Sequence, residues 1–274
     1  MKEEASLARK IAGPAISSGL AQRPMGTLAI VASPPSGESH RTRFSSVAVQ
    51  PGQSAFTRTP VRPHSLASVL VSETTAALAA PYGARNGAAA SPATVVTEAI
   101  DALGHLDVVV NNAGGSSFMV PFLDLRLSGW EKVLRLNLDA TMRICQAAGA
   151  HMTARGGGSV INIASVAGLA AAPFLAPYGA ATAAVVSQTK TLASEWGRTG
   201  VRVNALCPGW TATDLNRVLW DSPDGGQATI ASVPMGRWAK PEEMAGPAIF
   251  LASEASSFMT GQVLVIDGGQ TATA

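Results

Sequence analysis

The chain has 274 residues, 47% of them hydrophobic, with a mean hydropathy of +0.21, enough to bury the core of one large α/β domain. Twenty Lys and Arg against 18 Asp and Glu leave a formal net charge of +2, and only 14% of residues are charged, which argues against a phosphate-tracking surface and so against nucleic acid as a partner. Two cysteines, Cys145 and Cys207, are too few for a disulfide framework or a four-ligand zinc site, and a cytoplasmic chain is the expectation.

Glu3 and Glu4 stand where an export signal carries positive charge, so residues 1–26 read as an N-terminal extension. Residues 27–32 form an apolar run of strand length. Residues 33–65 read as irregular or disordered, because the run from His40 to His64 has neither a helical nor a two-residue apolar period. Residues 1–64 also hold eight basic side chains against three acidic ones. Such an abrupt Arg/Pro/Ser composition is also what a shifted reading frame leaves, and the nucleotides in the alternative frames would test that. Residues 69–71 followed by Glu73 read as a second strand ending on an acid.

From residue 93 the patterns agree with one another. Val96, Ala99, Ile100 and Leu103 recur at helical spacing, Gly104 closes that helix, and 106–110 is a strand. Ser128 with Glu131 makes a capping box for one long helix over about 129–152. A strand at 159–164, a helix at 178–196, a strand at 201–206, a helix opened by Pro241 and a strand at 262–266 complete the alternation. Strands separated by helices imply an α/β, doubly wound parallel sheet in a single domain over 27–270. The uncharged stretch 161–189 is long enough for a bilayer, yet it is rich in Ala, Gly, Ser and Thr and contains Pro173 and Pro177, so a membrane span is not expected. His40, His64, His105 and His151 have no ligand spacing, and no metal site is expected.

Asn111-Asn112-Ala113-Gly114 after a strand, Asn137 in the next helix, Ser165 after another strand, Tyr178 thirteen residues on, and Pro208-Gly209 with Thr213 together resemble the classical short-chain dehydrogenase/reductase family, in its 3-oxoacyl-ACP reductase-like form. The terminal TGQVLVIDGG belongs to the same pattern, and the resemblance covers about 93–270. It implies a Rossmann-like fold with NAD or NADP across the carboxyl ends of the strands. It further implies a small-molecule or carrier-linked carbonyl or alcohol substrate and a homo-oligomer, dimer or tetramer, packed through the two long central helices and the C-terminal strand. By that resemblance Tyr178 is the acid/base, Ser165 polarises the carbonyl, and Asn137 holds a water of the proton relay. Asn111, Ala113 and Gly114 border the adenosine side of the cofactor, and Pro208, Gly209 and Thr213 meet the nicotinamide.

Taken singly, each of these residues has a plainer reading: Ser165 as a strand-end cap, Tyr178 as a half-buried helix residue, Asn137 as a satisfied core amide, Thr213 as an N-cap. The tryptophans Trp196, Trp210, Trp220 and Trp238 read as core or pocket walls. Two departures from the family pattern stand out. Thr182 occupies the place of the family's lysine, four residues after Tyr178, where a positive charge would lower the phenol's pKa and hold the nicotinamide ribose. Lys190, twelve residues from Tyr178 and so about 18 Å along a helix at 1.5 Å per residue, cannot replace it. The phosphate turn reads Ser33-Pro34-Pro35-Ser36-Gly37-Glu38-Ser39, with Gly37 alone matching a motif glycine. These readings leave an NAD(P)-dependent oxidoreductase, with a catalytically impaired relative acting as a binding or oligomerisation partner as the alternative.

Overall fold

The structure is a computed structural model; it describes residues 28–32, 44–48, 59–61 and 92–272. The strands are β1 (Leu28–Ala32), β2 (Phe44–Ala48), β3 (Thr59–Val61), β4 (Val108–Asn111), β5 (Gly158–Ile163), β6 (Val201–Pro208) and β7 (Val263–Ile266). The helices are α1 (Pro92–Leu103), α2 (Leu127–Leu134), α3 (Ala140–Arg155), α4 (Ala176–Trp196), α5 (Arg217–Trp220), α6 (Gln227–Ile230) and α7 (Ala245–Ala252).

Among the described residues seven strands form one sheet in the order β3-β2-β1-β4-β5-β6-β7. The four from β4 to β7 are parallel, with Val109 beside Val160 and Val160 beside Val203. Alternate residues of these strands serve opposite faces. Val109, Val160 and Val203 pack with Ile144, Ala148 and Met152 of α3 and with Val96 and Ala99 of α1. Val108, Val110, Ile161 and Leu206 pack with Ala248 and Leu251 of α7. Both faces are therefore covered, which is why these strands read as unbroken apolar runs and why the fold is Rossmann-like α/β.

The other three strands differ from the expected all-parallel order. β1 runs antiparallel to β4, with Ile30 beside Val109 and Val31 beside Val108, so Ala32 lies toward the amino end of β4, away from Asn111. The expected irregular span 33–65 contains β2 and β3, both in antiparallel pairs. Backbone ladders need no apolar alternation in the pairing residues, so these strands leave no two-residue period in the sequence. Pro60 lies in β3, the outermost strand, where the missing N–H costs least. The strand expected at 69–71, with Glu73, lies outside the described residues.

The long helix expected at 129–152 is divided. α2 passes into a π-helical turn, Arg135–Asp139, before α3 begins. Its N-cap is Arg126, in extended conformation with no side-chain cap, so Ser128 lies inside the first turn and the Ser128/Glu131 capping box does not form. Gly104 does close α1, at φ +85° with its N–H on the Ile100 carbonyl at 2.7 Å. Among the described residues no helix is long and apolar enough to cross a membrane.

Candidate active site

The carboxyl ends of β4, β5 and β6 are neighbours, so whatever follows them meets at one rim of the sheet. After β4 the chain turns through Ala113, Gly114 and Gly115. Asn137, buried in the π-helical turn, clamps this turn: its Oδ1 accepts the Gly115 N–H at 2.7 Å and its Nδ2 donates to the Gly115 carbonyl at 2.9 Å. The same Nδ2 donates to the Val133 carbonyl at 2.8 Å, a group one helical turn back. A Cβ on Gly114 would stand 2.6 Å from Asn137 Oδ1, so only glycine fits there. The side-chain amide of Asn137 is thus committed to the turn, and its own carbonyl accepts the Thr141 hydroxyl at 3.0 Å.

Asn111 points into the protein. Its Nδ2 donates to Asn162 Oδ1 at 2.8 Å and lies 3.3 Å from Cys145 Sγ, while Asn162 Nδ2 donates to Thr189 Oγ1 at 2.9 Å. Asn111 and Asn162 are direct neighbours in the β4/β5 register. This buried chain ties both strands to α3 and α4, and it leaves only the backbone of Asn111 facing the rim. Burial pushes the Cys145 thiol up to about 12, so it is an inert structural group.

Ser165 and Tyr178 come together. The Ala164 N–H donates to the Leu206 carbonyl at 2.7 Å and carries the β5/β6 ladder to its end. Ser165 then caps the short turn Val166–Gly168, its Oγ accepting the Ala167 N–H at 3.1 Å. That leaves its proton free, and the Ser165 side chain lies where it favours ionisation of the Tyr178 phenol, in the first turn of α4. Burial raises the phenol's pKa above its ordinary 10.0, the Ser165 contact opposes this, and the neighbouring Cys207 raises it further. Cys207 is fully buried at the end of β6, its thiol pushed up to about 11 by burial against a hydrogen bond to the Ser165 backbone.

Thr182 is buried, and its hydroxyl donates to the carbonyls of Tyr178 at 2.8 Å and Gly179 at 3.2 Å. It presents no charge and no spare proton to the rim. Among the described residues no lysine or arginine contributes to the ionisation of Tyr178.

The third wall follows β6. The Gly209 N–H donates to the Ile266 carbonyl at 3.0 Å, and a Cβ on Gly209 would stand 2.7 Å from that of Asp267. Burial opposes ionisation of the Asp267 carboxyl, yet the Thr271 hydroxyl and the Thr271 and Gly269 N–H groups win and hold it below the usual carboxylate range. Thr213 caps Asp214–Asn216, as an N-cap reading has it, with its N–H on Asn216 Oδ1 at 2.9 Å. Its carbonyl accepts Trp220 Nε1–H of α5 at 2.7 Å. Leu215 from this loop packs over Gly115, where a Cβ would lie 2.9 Å from its Cδ2. Trp210 and Trp238 meet edge to face at 5.5 Å.

The rim thus gathers Ala113, Gly114, Asn137, Ser165, Tyr178, Pro208, Gly209 and Thr213, with Thr182 just beneath Tyr178. Gly37 lies outside the described residues. Three neighbours were missed by sequence reasoning. Asn162 had a signal, a polar residue inside an apolar strand; Cys207 and Leu215 had none, since their roles arise from the strand register and from the packing of the loop.

These residues fit a dinucleotide laid along the rim: two turns of small residues, after β4 and after β6, flank a hydroxyl pair at the end of β5. The pyrophosphate end is not carried by described residues, since β1 ends toward the amino end of β4.

The sequence profile described as "Enoyl-(Acyl carrier protein) reductase" matches residues 69–271. The chain is similar to the D-threitol dehydrogenase of Mycolicibacterium smegmatis, 40% identical over 71% of this chain and 78% of that one. It is also similar to the 3-oxoacyl-(acyl-carrier-protein) reductase of Thermotoga maritima, 37% identical over 66% of this chain and 72% of that one. In three dimensions it matches a gluconate 5-dehydrogenase from Burkholderia cenocepacia, solved with NADP and tartrate, at a TM-score of 0.64 and 39% identity, over 68% of this chain and 72% of that one.

Proposed function

The chain belongs to the short-chain dehydrogenase/reductase family, and from that premise we propose that the Ser165/Tyr178 pair handles the proton in its reaction. It is an NAD(P)-dependent oxidoreductase that exchanges a hydride between a nicotinamide and a carbonyl or alcohol. The relatives named above are dehydrogenases and reductases, and nothing in them supports the alternative of a catalytically impaired binding partner.

When bound, the nicotinamide supplies or accepts the hydride. The chain's own groups do the rest. In carbonyl reduction Ser165 donates a hydrogen bond to the substrate oxygen, where negative charge develops, and Tyr178 gives that oxygen its phenolic proton. In alcohol oxidation the phenolate takes the proton back. Asn137 holds the turn after β4 in place, and the loop of Pro208, Gly209 and Thr213 would hold the nicotinamide. Asn111 supports that wall from within, while Ala113 and Gly114 let backbone approach the cofactor. Thr182 brings a hydroxyl where a charge would assist, so alcohol oxidation, which needs the phenolate, is expected to be slow at neutral pH. The observation that carries this reading is that the turn of Ser165 and the helix start of Tyr178 meet at the carboxyl end of parallel strands, where Gly179 abuts the Ala167 carbonyl and Ser165 favours ionisation of the phenol.

For substrate we favour a small polyol or sugar acid, on the names of the threitol and gluconate relatives, over a carrier-linked acyl group. A homo-oligomer is proposed on the exposed apolar side chains beside the edge strand β7, Phe250, Phe258 and Val265. A cytoplasmic location rests on the two buried free thiols. Fluorescence titration of the purified chain with NADH and with NADPH tests the reading first. Saturable binding is expected, followed by cofactor reduction with D-threitol or gluconate; binding without turnover on any alcohol or carbonyl would remove Tyr178 and Ser165 from their assigned roles.

A further inference from the structure

The segment that carries Ser165 and the helix that carries Tyr178 touch through glycine on both sides. A Cβ on Gly179 would stand 2.8 Å from the carbonyl oxygen of Ala167. One on Gly168 would stand 2.5 Å from the Ala183 nitrogen, 2.7 Å from the Thr182 carbonyl carbon and 2.9 Å from Thr182 Oγ1. Separations below 3.0 Å are essentially never adopted by real Cβ atoms, and the atoms in the way are mostly backbone, which cannot swing aside as a flexible side chain can. Neither glycine has a positive φ, so the requirement is for space rather than for an unusual dihedral.

Gly179 is also costly where it sits. It lies inside α4 among Ala176, Ala180, Ala181, Ala183 and Ala184, and alanine is a better helix former than glycine. The contact falls on sensitive ground: the N–H of Ala167 orients Ser165 Oγ at 3.1 Å, its carbonyl is the atom that Gly179 admits, and Gly179 directly follows Tyr178. Thr182, which Gly168 faces, is hydrogen-bonded to the Tyr178 carbonyl.

We propose that Gly168 and Gly179 are positioning residues, and that the backbone contact they permit between the turn Val166–Gly168 and the start of α4 sets the separation of the Ser165 and Tyr178 hydroxyls. The catalytic consequence rests on the reading of that pair as the proton-handling groups; the geometric claim does not. A side chain at either position wedges the turn from the helix and parts the two hydroxyls. Displacements of about 1 Å at reacting groups cost on the order of 10²-fold in rate.

The test compares Gly179→Ala and Gly168→Ala in the full chain with Gly246→Ala, a glycine of α7 with nothing within 4 Å of its Cβ position. The first readout is kcat and KM for the cofactor. The second is the ultraviolet titration of the phenol: the chain has two tyrosines, Tyr82 and Tyr178, so a Tyr82→Phe background reports Tyr178 alone. In Gly179→Ala and Gly168→Ala, kcat falls by roughly 10²-fold with KM for the cofactor unchanged. The Tyr178 titration moves to higher pH, because the contact that favours its phenolate is lost, while Gly246→Ala changes neither. Unchanged kcat and an unmoved titration in the two site variants would overturn the proposal. If the parent chain shows no turnover, the titration decides alone: a shift upholds the positioning while the catalytic reading falls, and no shift overturns the positioning itself. If Gly179→Ala does not fold, Gly168→Ala carries the test; failure of both to fold beside a folded Gly246→Ala would assign the contact to fold stability and overturn the proposal.

Discussion

Thr182 stands one helical turn beyond Tyr178, and its hydroxyl donates to the Tyr178 carbonyl at 2.8 Å. The threonine therefore serves the helix and not the phenol. Burial raises the Tyr178 pKa above its ordinary 10.0, and the Ser165 contact is the group that opposes it. Alcohol oxidation needs the phenolate, and a raised pKa moves the population of that form to higher pH. Oxidation should then still be climbing at pH 10, as a pH–rate profile of kcat will read. A plateau near neutrality would mean that another base takes the proton.

Thr182→Lys reverses that deficit if the ammonium reaches the phenol. A cation within about 4–6 Å lowers an acid's pKa by roughly 1–3 units, so the rise of the oxidation profile should move down by about that much and the rate at neutral pH should increase. The lysine stem must leave a buried position that Gly168 faces closely. A variant that folds and binds cofactor but keeps the parent profile would show the stem deflected away from Tyr178.

Asn137→Ala tests the clamp on the turn after β4. It leaves the Gly115 N–H and carbonyl and the Val133 carbonyl without the Asn137 amide. A buried group left unpaired costs about 1–3 kcal/mol, and water reaching the rim relieves part of the total, so a loss of roughly 2–4 kcal/mol is expected in urea unfolding. Asn137→Asp keeps an acceptor for the Gly115 N–H but sets an oxygen against the Gly115 and Val133 carbonyls, and should lose at least as much as Asn137→Ala. Equal stability of all three chains would discard the clamp.

Much of this site was readable from residue types in order, and the reasons it was not fully so are local. β4, β5 and β6 declare themselves because both of their faces are buried, as Val109 and Val110 show by packing on opposite sides. The meeting of Ser165 with Tyr178 follows from order alone: a strand end, a short turn, a helix start. Strand direction is different. Residues 28–32 have the composition of a strand whichever way they run, and nothing local states that β1 lies antiparallel to β4. The π-helical turn at Asn137 is equally silent, since one extra residue in a turn barely alters a helical period over so short a span. Ser128 with Glu131 misled for a related reason: the pattern marks a helix start only if the chain is still extended at the serine, and here the extended residue is Arg126. Asn111 ends β4, and its side chain faces inward because Asn162 stands beside it in register.

His151 links pH to stability far from the active-site rim. The N–H of Leu106, a fully buried residue, donates to His151 Nε2 at 3.3 Å, so the imidazole must be neutral to accept it. Burial lowers its pKa below the ordinary 6.5, Arg155 and His105 lower it further, and Asp107 opposes them. The unfolded chain then binds a proton that the folded chain refuses, so stability rises with pH across that window. The contribution is complete above about pH 6.5 and is lost as pH falls through the depressed value of the folded state. Urea midpoints near pH 7.5 and near pH 5.5 should differ more for the parent chain than for His151→Ala, which has no imidazole to charge. Parallel slopes in the two proteins would show that His151 takes up its proton equally in the folded and unfolded chain, and would discard the Leu106 N–H as a group that holds it neutral.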